Sequence, residues 1–184
     1  MTDPEQNVVT EESTFTRESV KLAAGGVLAG ASYLAAGFFP PYVFYLAYLA
    51  ALMAVAYSDF RERRIPNRII YPAILVALGA MFRFPGWGTA LLGGAIAALI
   101  FIVPVFIYGP ERAGIGDVKL AFFIGLIFGF SMTLYWALLV GFGGAALVGL
   151  VGILLRKMSR KSLLPFGSFL ALGAIAFLIA QMLH

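Results

Sequence analysis

The chain has 184 residues, of which 61% are hydrophobic and 12% charged, with a mean hydropathy of +0.94, a net charge of +4 and no cysteine. Soluble domains carry about 25% charged residues, and a domain this small has too little interior to hide so much apolar surface. A water-soluble globule is therefore excluded, and so are disulfides, thiol chemistry and cysteine–zinc sites. Lipid is the solvent that suits this composition. Backbone polar groups must then be satisfied internally, by helices or a closed barrel. The apolar runs are continuous and do not alternate, which predicts an all-α, polytopic helix bundle and not a barrel.

A spanning helix needs roughly 20 apolar residues. A polar, acidic tail occupies residues 1–19, and a single transmembrane domain is expected over 20–184. The tail lacks the basic start of a secretory signal, so the first apolar run reads as a retained helix. That run covers about Val20 to Phe38 and ends at Pro40-Pro41. The second covers about Tyr42 to Tyr57, before the charged stretch Asp59-Phe-Arg-Glu-Arg-Arg-Ile-Pro-Asn-Arg68. The third, about Ile69 to Phe82, stops at Phe84-Pro-Gly-Trp-Gly88, and the fourth runs from about Thr89 to Tyr108. From Val118 to Leu155 the only charge is Lys119. That length fits two helices with a break near Gly129-Phe-Ser131. After Arg156-Lys-Met-Ser-Arg-Lys161 a seventh run covers about Pro165 to Leu183. Glycines such as Gly25, Gly26 and Gly30 read as helix-packing contacts.

Charge distribution sets the expected orientation. With the N-terminus in the cytoplasm, alternation puts every Lys and Arg except Arg83 on the cytoplasmic side, a strong positive-inside asymmetry. The protein is thus expected in the cell membrane, with its basic loops against anionic lipid headgroups. The basic residues are not read as a nucleic-acid footprint.

After residue 18 the acidic residues are Asp59, Glu62, Glu111 and Asp117. Glu62 and Glu111 sit among basic residues and read as loop charges. Asp59 falls at the end of the second helix and Asp117 at the start of the fifth, both on the cytoplasmic side. Two carboxylates in one partly dry site share a proton and perform acid–base chemistry. Each also admits a plainer reading alone: Asp59 pairing with Arg63 one turn on, Asp117 as a helix N-cap. An aspartate pair in a membrane would equally serve a proton-coupled transporter, which predicts polar groups or broken helices at the midplane. A non-catalytic membrane subunit would tolerate replacement of both.

Three segments carry a resemblance. Asp59-Phe-Arg-Glu-Arg-Arg-Ile-Pro66-Asn67 resembles the first catalytic segment of the type IV prepilin peptidases. Gly114-Ile-Gly116-Asp117-Val-Lys119-Leu120 resembles their GxGD motif. Pro165-Phe166-Gly167-Ser-Phe-Leu is similar to their C-terminal Pro-Phe-Gly segment. The match spans about residues 42–183. It implies a six-helix core preceded by one additional helix. It implies a membrane aspartyl endopeptidase with Asp59 and Asp117 as the catalytic pair and Pro66, Asn67, Gly114, Gly116, Lys119, Pro165, Phe166 and Gly167 as supporting residues. The implied substrate is a prepilin-like single-span protein with a short basic leader, cut at the cytoplasmic face. Without the paired-cysteine insertion of larger members, the resemblance implies peptidase activity and no N-methyltransferase. No cofactor or metal is expected, because the chain has no His/Cys cluster and no P-loop pattern.

Overall fold

The computed structural model describes residues 4–109, 114–155 and 165–183. The described chain forms seven helices: α1 (Pro4–Phe38), α2 (Pro41–Glu62), α3 (Asn67–Ala80), α4 (Trp87–Tyr108), α5 (Ile115–Phe128), α6 (Met132–Leu154) and α7 (Phe166–Leu183). Large apolar side chains point outward on many of them, as with Leu22, Phe38 and Phe106, each more than three-quarters exposed. In a bilayer those side chains meet lipid tails. The molecule is a multi-pass helical membrane protein.

Three departures from the sequence expectation have physical causes. First, α1 runs 35 residues and takes in most of the polar tail. That is about 52 Å at 1.5 Å per residue, more than the roughly 30 Å of hydrocarbon. Residues 5–24 contain no glycine or proline to interrupt a helix. Only the segment Arg17–Phe38 has the length and composition of a span.

Second, five segments have the length and apolarity to cross a membrane. The other two helices, α3 and α5, have 14 residues each, or about 21 Å. Helix α5 stops at Gly129, whose φ of +64° is one that a side chain disfavours. Its short length goes with deep burial: Leu120, Ala121 and every residue from Phe123 to Phe128 are buried. A helix apolar on all sides belongs inside a bundle, and α5 packs against α3, α4, α6 and α7.

Third, the glycines that bring helices together are not those expected. Gly26 and Gly30 have open space where a side chain would go, and Gly25 only touches Leu75. The close approaches are Gly79 on the backbone of α1, Gly93 against Gly125 between α4 and α5, and Gly141 against Gly173 between α6 and α7.

Candidate active site

Helix α2 continues past its expected end through Asp59, which is buried at 6% exposure. It closes at Arg63, a non-glycine residue in the left-handed region (φ 52°, ψ 36°) whose N–H donates to the Asp59 carbonyl at 2.8 Å. This turn aims the chain at Pro66, which stands just before α3 in the extended conformation a helix entry needs. Gly114 precedes α5, and Asp117 stands in its first turn. Gly114 also leaves room for its neighbour: a methyl group there would lie 2.9 Å from Asp117 Oδ2.

The two aspartates, 58 positions apart in sequence, face one cavity of about 390 Å³. Arg63, Arg64, Asn67 and Lys119 line it with them. Gly167 lies between the carboxyls. A methyl group added there would sit 3.1 Å from Asp59 Cγ, 3.1 Å from Asp117 Oδ1 and 3.0 Å from Ile65 Cδ1. The two carboxyls therefore lie within twice 3.1 Å of each other. All three resembling segments meet at this point.

Neither plain reading of the aspartates describes the structure. Among the described residues the one ion pair is Lys21 with Glu18, so Asp59 does not pair with Arg63. The residue at the N-cap position of α5 is Gly114, and no side chain caps that helix start. Asp59 is instead bonded across to α7. Its Oδ2 accepts from the Ser168 backbone N–H, and from the Ser168 hydroxyl at 2.9 Å. Burial, and then the negative charge of Asp59, push the Asp117 carboxyl up to about 7. Asp117 lies outside the five spanning-length segments.

The supporting residues divide. Lys119 donates to Asn67 Oδ1 at 2.9 Å and lies over the Tyr71 ring at 4.7 Å, which ties α5 to α3 at the cavity. Gly116 makes room for Ile65, which a methyl group there would approach to 3.1 Å. Pro165 precedes α7 and, lacking an N–H, fits a helix entry. Phe166 packs its ring on Phe101 and Phe142, with centroids 5.7 and 5.4 Å apart. It anchors the start of α7. Glu62 is exposed, and Glu111 lies outside the described residues. Sequence reasoning missed Ser168 and Ile65. The signal for Ser168 was a hydroxyl in the first turn after Pro-Phe-Gly; for Ile65 there was none.

A short-helix core with two carboxylates in one cavity defines a polytopic membrane protein with a paired-carboxylate site. The chain belongs to the type IV leader peptidase family, whose model matches residues 46–150. It is 30% identical over 158 residues to the prepilin leader peptidase/N-methyltransferase of Bacillus subtilis (strain 168), covering 83% of this chain and 59% of that protein. It is 32% identical over 171 residues to the protein of the same name from Burkholderia pseudomallei (strain 1026b), covering 86% and 53%. The chain thus spans little more than half the length of these relatives. No solved structure matches it.

Proposed function

We propose that this protein is an aspartyl endopeptidase that removes the short basic leader of prepilin-like single-span proteins at the cytoplasmic membrane face. The convergence of Asp59 and Asp117 on Gly167 carries this reading. Membership of the leader peptidase family supports it. The expected excess of basic residues on one side supports the cytoplasmic orientation.

In the proposed reaction Asp59 is the base and Asp117 the acid. Asp117, with its carboxyl raised to about 7, keeps its proton far above the pH at which an ordinary carboxylate has lost it, and the protonated form is the one that reacts. Asp59 takes a proton from water as the water oxygen attacks the scissile carbonyl carbon. Asp117 gives its proton to the carbonyl oxygen. The tetrahedral diol then collapses: the C–N bond breaks, the leaving amine takes the proton from Asp59, and a diol proton returns to Asp117. Both carboxyls end as they began. The substrate's apolar helix lies in the bilayer beside the enzyme, which puts its basic leader at the cavity.

The test is cleavage of a single-span substrate with a basic leader, co-reconstituted in proteoliposomes and scored by the size of the product. Specific cut product from wild type, lost in both Asp59→Asn and Asp117→Asn, is the expected result. Cleavage that survives either change removes that residue from the mechanism.

Two further outcomes follow from the geometry. The cleavage rate falls as pH rises through about 7, because Asp117 then gives up the proton it must donate; a pH–rate profile checks this. Gly167→Ala places a methyl group between the carboxyls, 3.1 Å from each. Small misplacement of reacting groups costs roughly 100-fold. Cleavage is therefore expected to fall at least tenfold while the protein remains inserted, as an immunoblot of the membrane fraction would show.

A further inference from the structure

Ser168 is buried in the first turn of α7. Its N–H is one of those at a helix start with no carbonyl one turn back to accept it, and it donates to Asp59 Oδ2. Its hydroxyl stands at a branch, 2.9 Å from Asp59 Oδ2 and 3.0 Å from the Ala56 carbonyl oxygen. A hydroxyl has one proton, so it donates to one of these acceptors at a time. Asp59 Oδ1 makes no hydrogen bond within the described chain. No fully buried side-chain oxygen or nitrogen among the described residues lacks a partner. Oδ1 is therefore the oxygen reached from the cavity.

We propose that Ser168 is a positioning residue for Asp59, which it holds by Oδ2 so that Oδ1 is the oxygen presented to water. This rests on Asp59 being the base of the proposed reaction. While Asp59 is ionised, the Ser168 hydroxyl donates to Oδ2 and the anion has two donors from α7. When Oδ1 takes a proton from water, Oδ2 becomes a weaker acceptor. The hydroxyl then turns to the Ala56 carbonyl, so its proton is never left without an acceptor. The N–H keeps Oδ2 in place throughout. The other charged groups at the cavity are Asp117 and Lys119 on α5, and Arg63 and Arg64 after α2. None of them makes a hydrogen bond to an Asp59 carboxylate oxygen.

The experiment measures kcat and KM of cleavage in proteoliposomes for wild type, Ser168→Ala, Ser168→Thr and Asp59→Asn, each normalised to the amount of folded enzyme. Ser168→Ala keeps the N–H and loses the hydroxyl. Its kcat is expected to fall about tenfold or more, the effect of losing a hydrogen bond to a charged group, with KM unchanged. Ser168→Thr restores the hydroxyl and returns kcat toward its wild-type value. A wild-type kcat in Ser168→Ala, or a loss that Ser168→Thr does not reverse, overturns the assignment. If Asp59→Asn abolishes cleavage while Ser168→Ala keeps its kcat, only the role of Ser168 falls. If Asp59→Asn still cleaves, the catalytic reading of Asp59 falls with it.

Discussion

Asp59→Asn and Asp117→Asn are each expected to lower leader cleavage by about a thousandfold, within the roughly 10²–10⁴ that a positioned general acid or base contributes. The loss is chemical and not structural. An asparagine at position 59 still presents an amide oxygen to the two donors of Ser168. At position 117 the change removes a cost. Asp117 is raised from 3.8 to about 7 in the fold, so folding favours its protonated form. Its contribution to stability is full below pH 3.8 and is lost as pH rises toward about 7. A neutral asparagine does not titrate. The melting temperature of Asp117→Asn in detergent should therefore exceed that of wild type at neutral pH, with the gap closing as the solution is acidified. A variant that loses cleavage and also melts earlier at neutral pH would contradict this account.

The second large effect is on stability. A methyl group at Gly125 would meet the Gly93 carbonyl oxygen and carbon, and would lie 2.6 Å from Gly94 Cα. All of these are backbone atoms, and no rotamer change moves them. Helices α4 and α5 must separate to admit it. Overpacking of this kind costs about 1–3 kcal/mol, more for larger groups. Gly125→Ala should lower the melting temperature, and Gly125→Val should deplete folded protein from the membrane. Gly26 and Gly143 provide the contrast, since nothing lies within 4 Å of a methyl group at either. Alanine there gains about 0.5–1 kcal/mol of helix stability over glycine, so neither substitution should lower the melting temperature. The same strain at Gly125 would shift Asp117, which rides on the same helix. Cleavage should fall in Gly125→Ala even in the fraction that remains folded.

The helix bundle was legible because its physics is local. Continuous apolar runs, the stops at Pro40-Pro41 and Gly129, and the charge asymmetry can each be read one segment at a time. The number of helices and most of their ends followed, such as Trp87–Tyr108 and Phe166–Leu183. The shortness of α3 and α5 was legible too, in the run from Ile69 to Phe82 and in the break near Gly129; their burial was not, since hydropathy measures the apolarity of a segment and not whether lipid or protein surrounds it. Of the site, Asp59 and Asp117 stood out because carboxylates at membrane depth are rare and expensive.

That these two carboxyls meet was decided by the tertiary structure. Three chain segments converge on Gly167, and their separation in sequence, from Asp59 to Gly167, carries no distance information. Packing likewise chose which glycines matter. Gly93 and Gly125 touch because two particular helices cross there, while Gly26 and Gly30 face open space despite an equally suggestive spacing. The sequence by itself determined the solvent, the helices and the two carboxylates, all properties of single segments. Only the tertiary structure decided that Ser168 holds one of them and that burial raises the other, because a hydrogen-bond partner and a local dielectric belong to neighbours brought together in space.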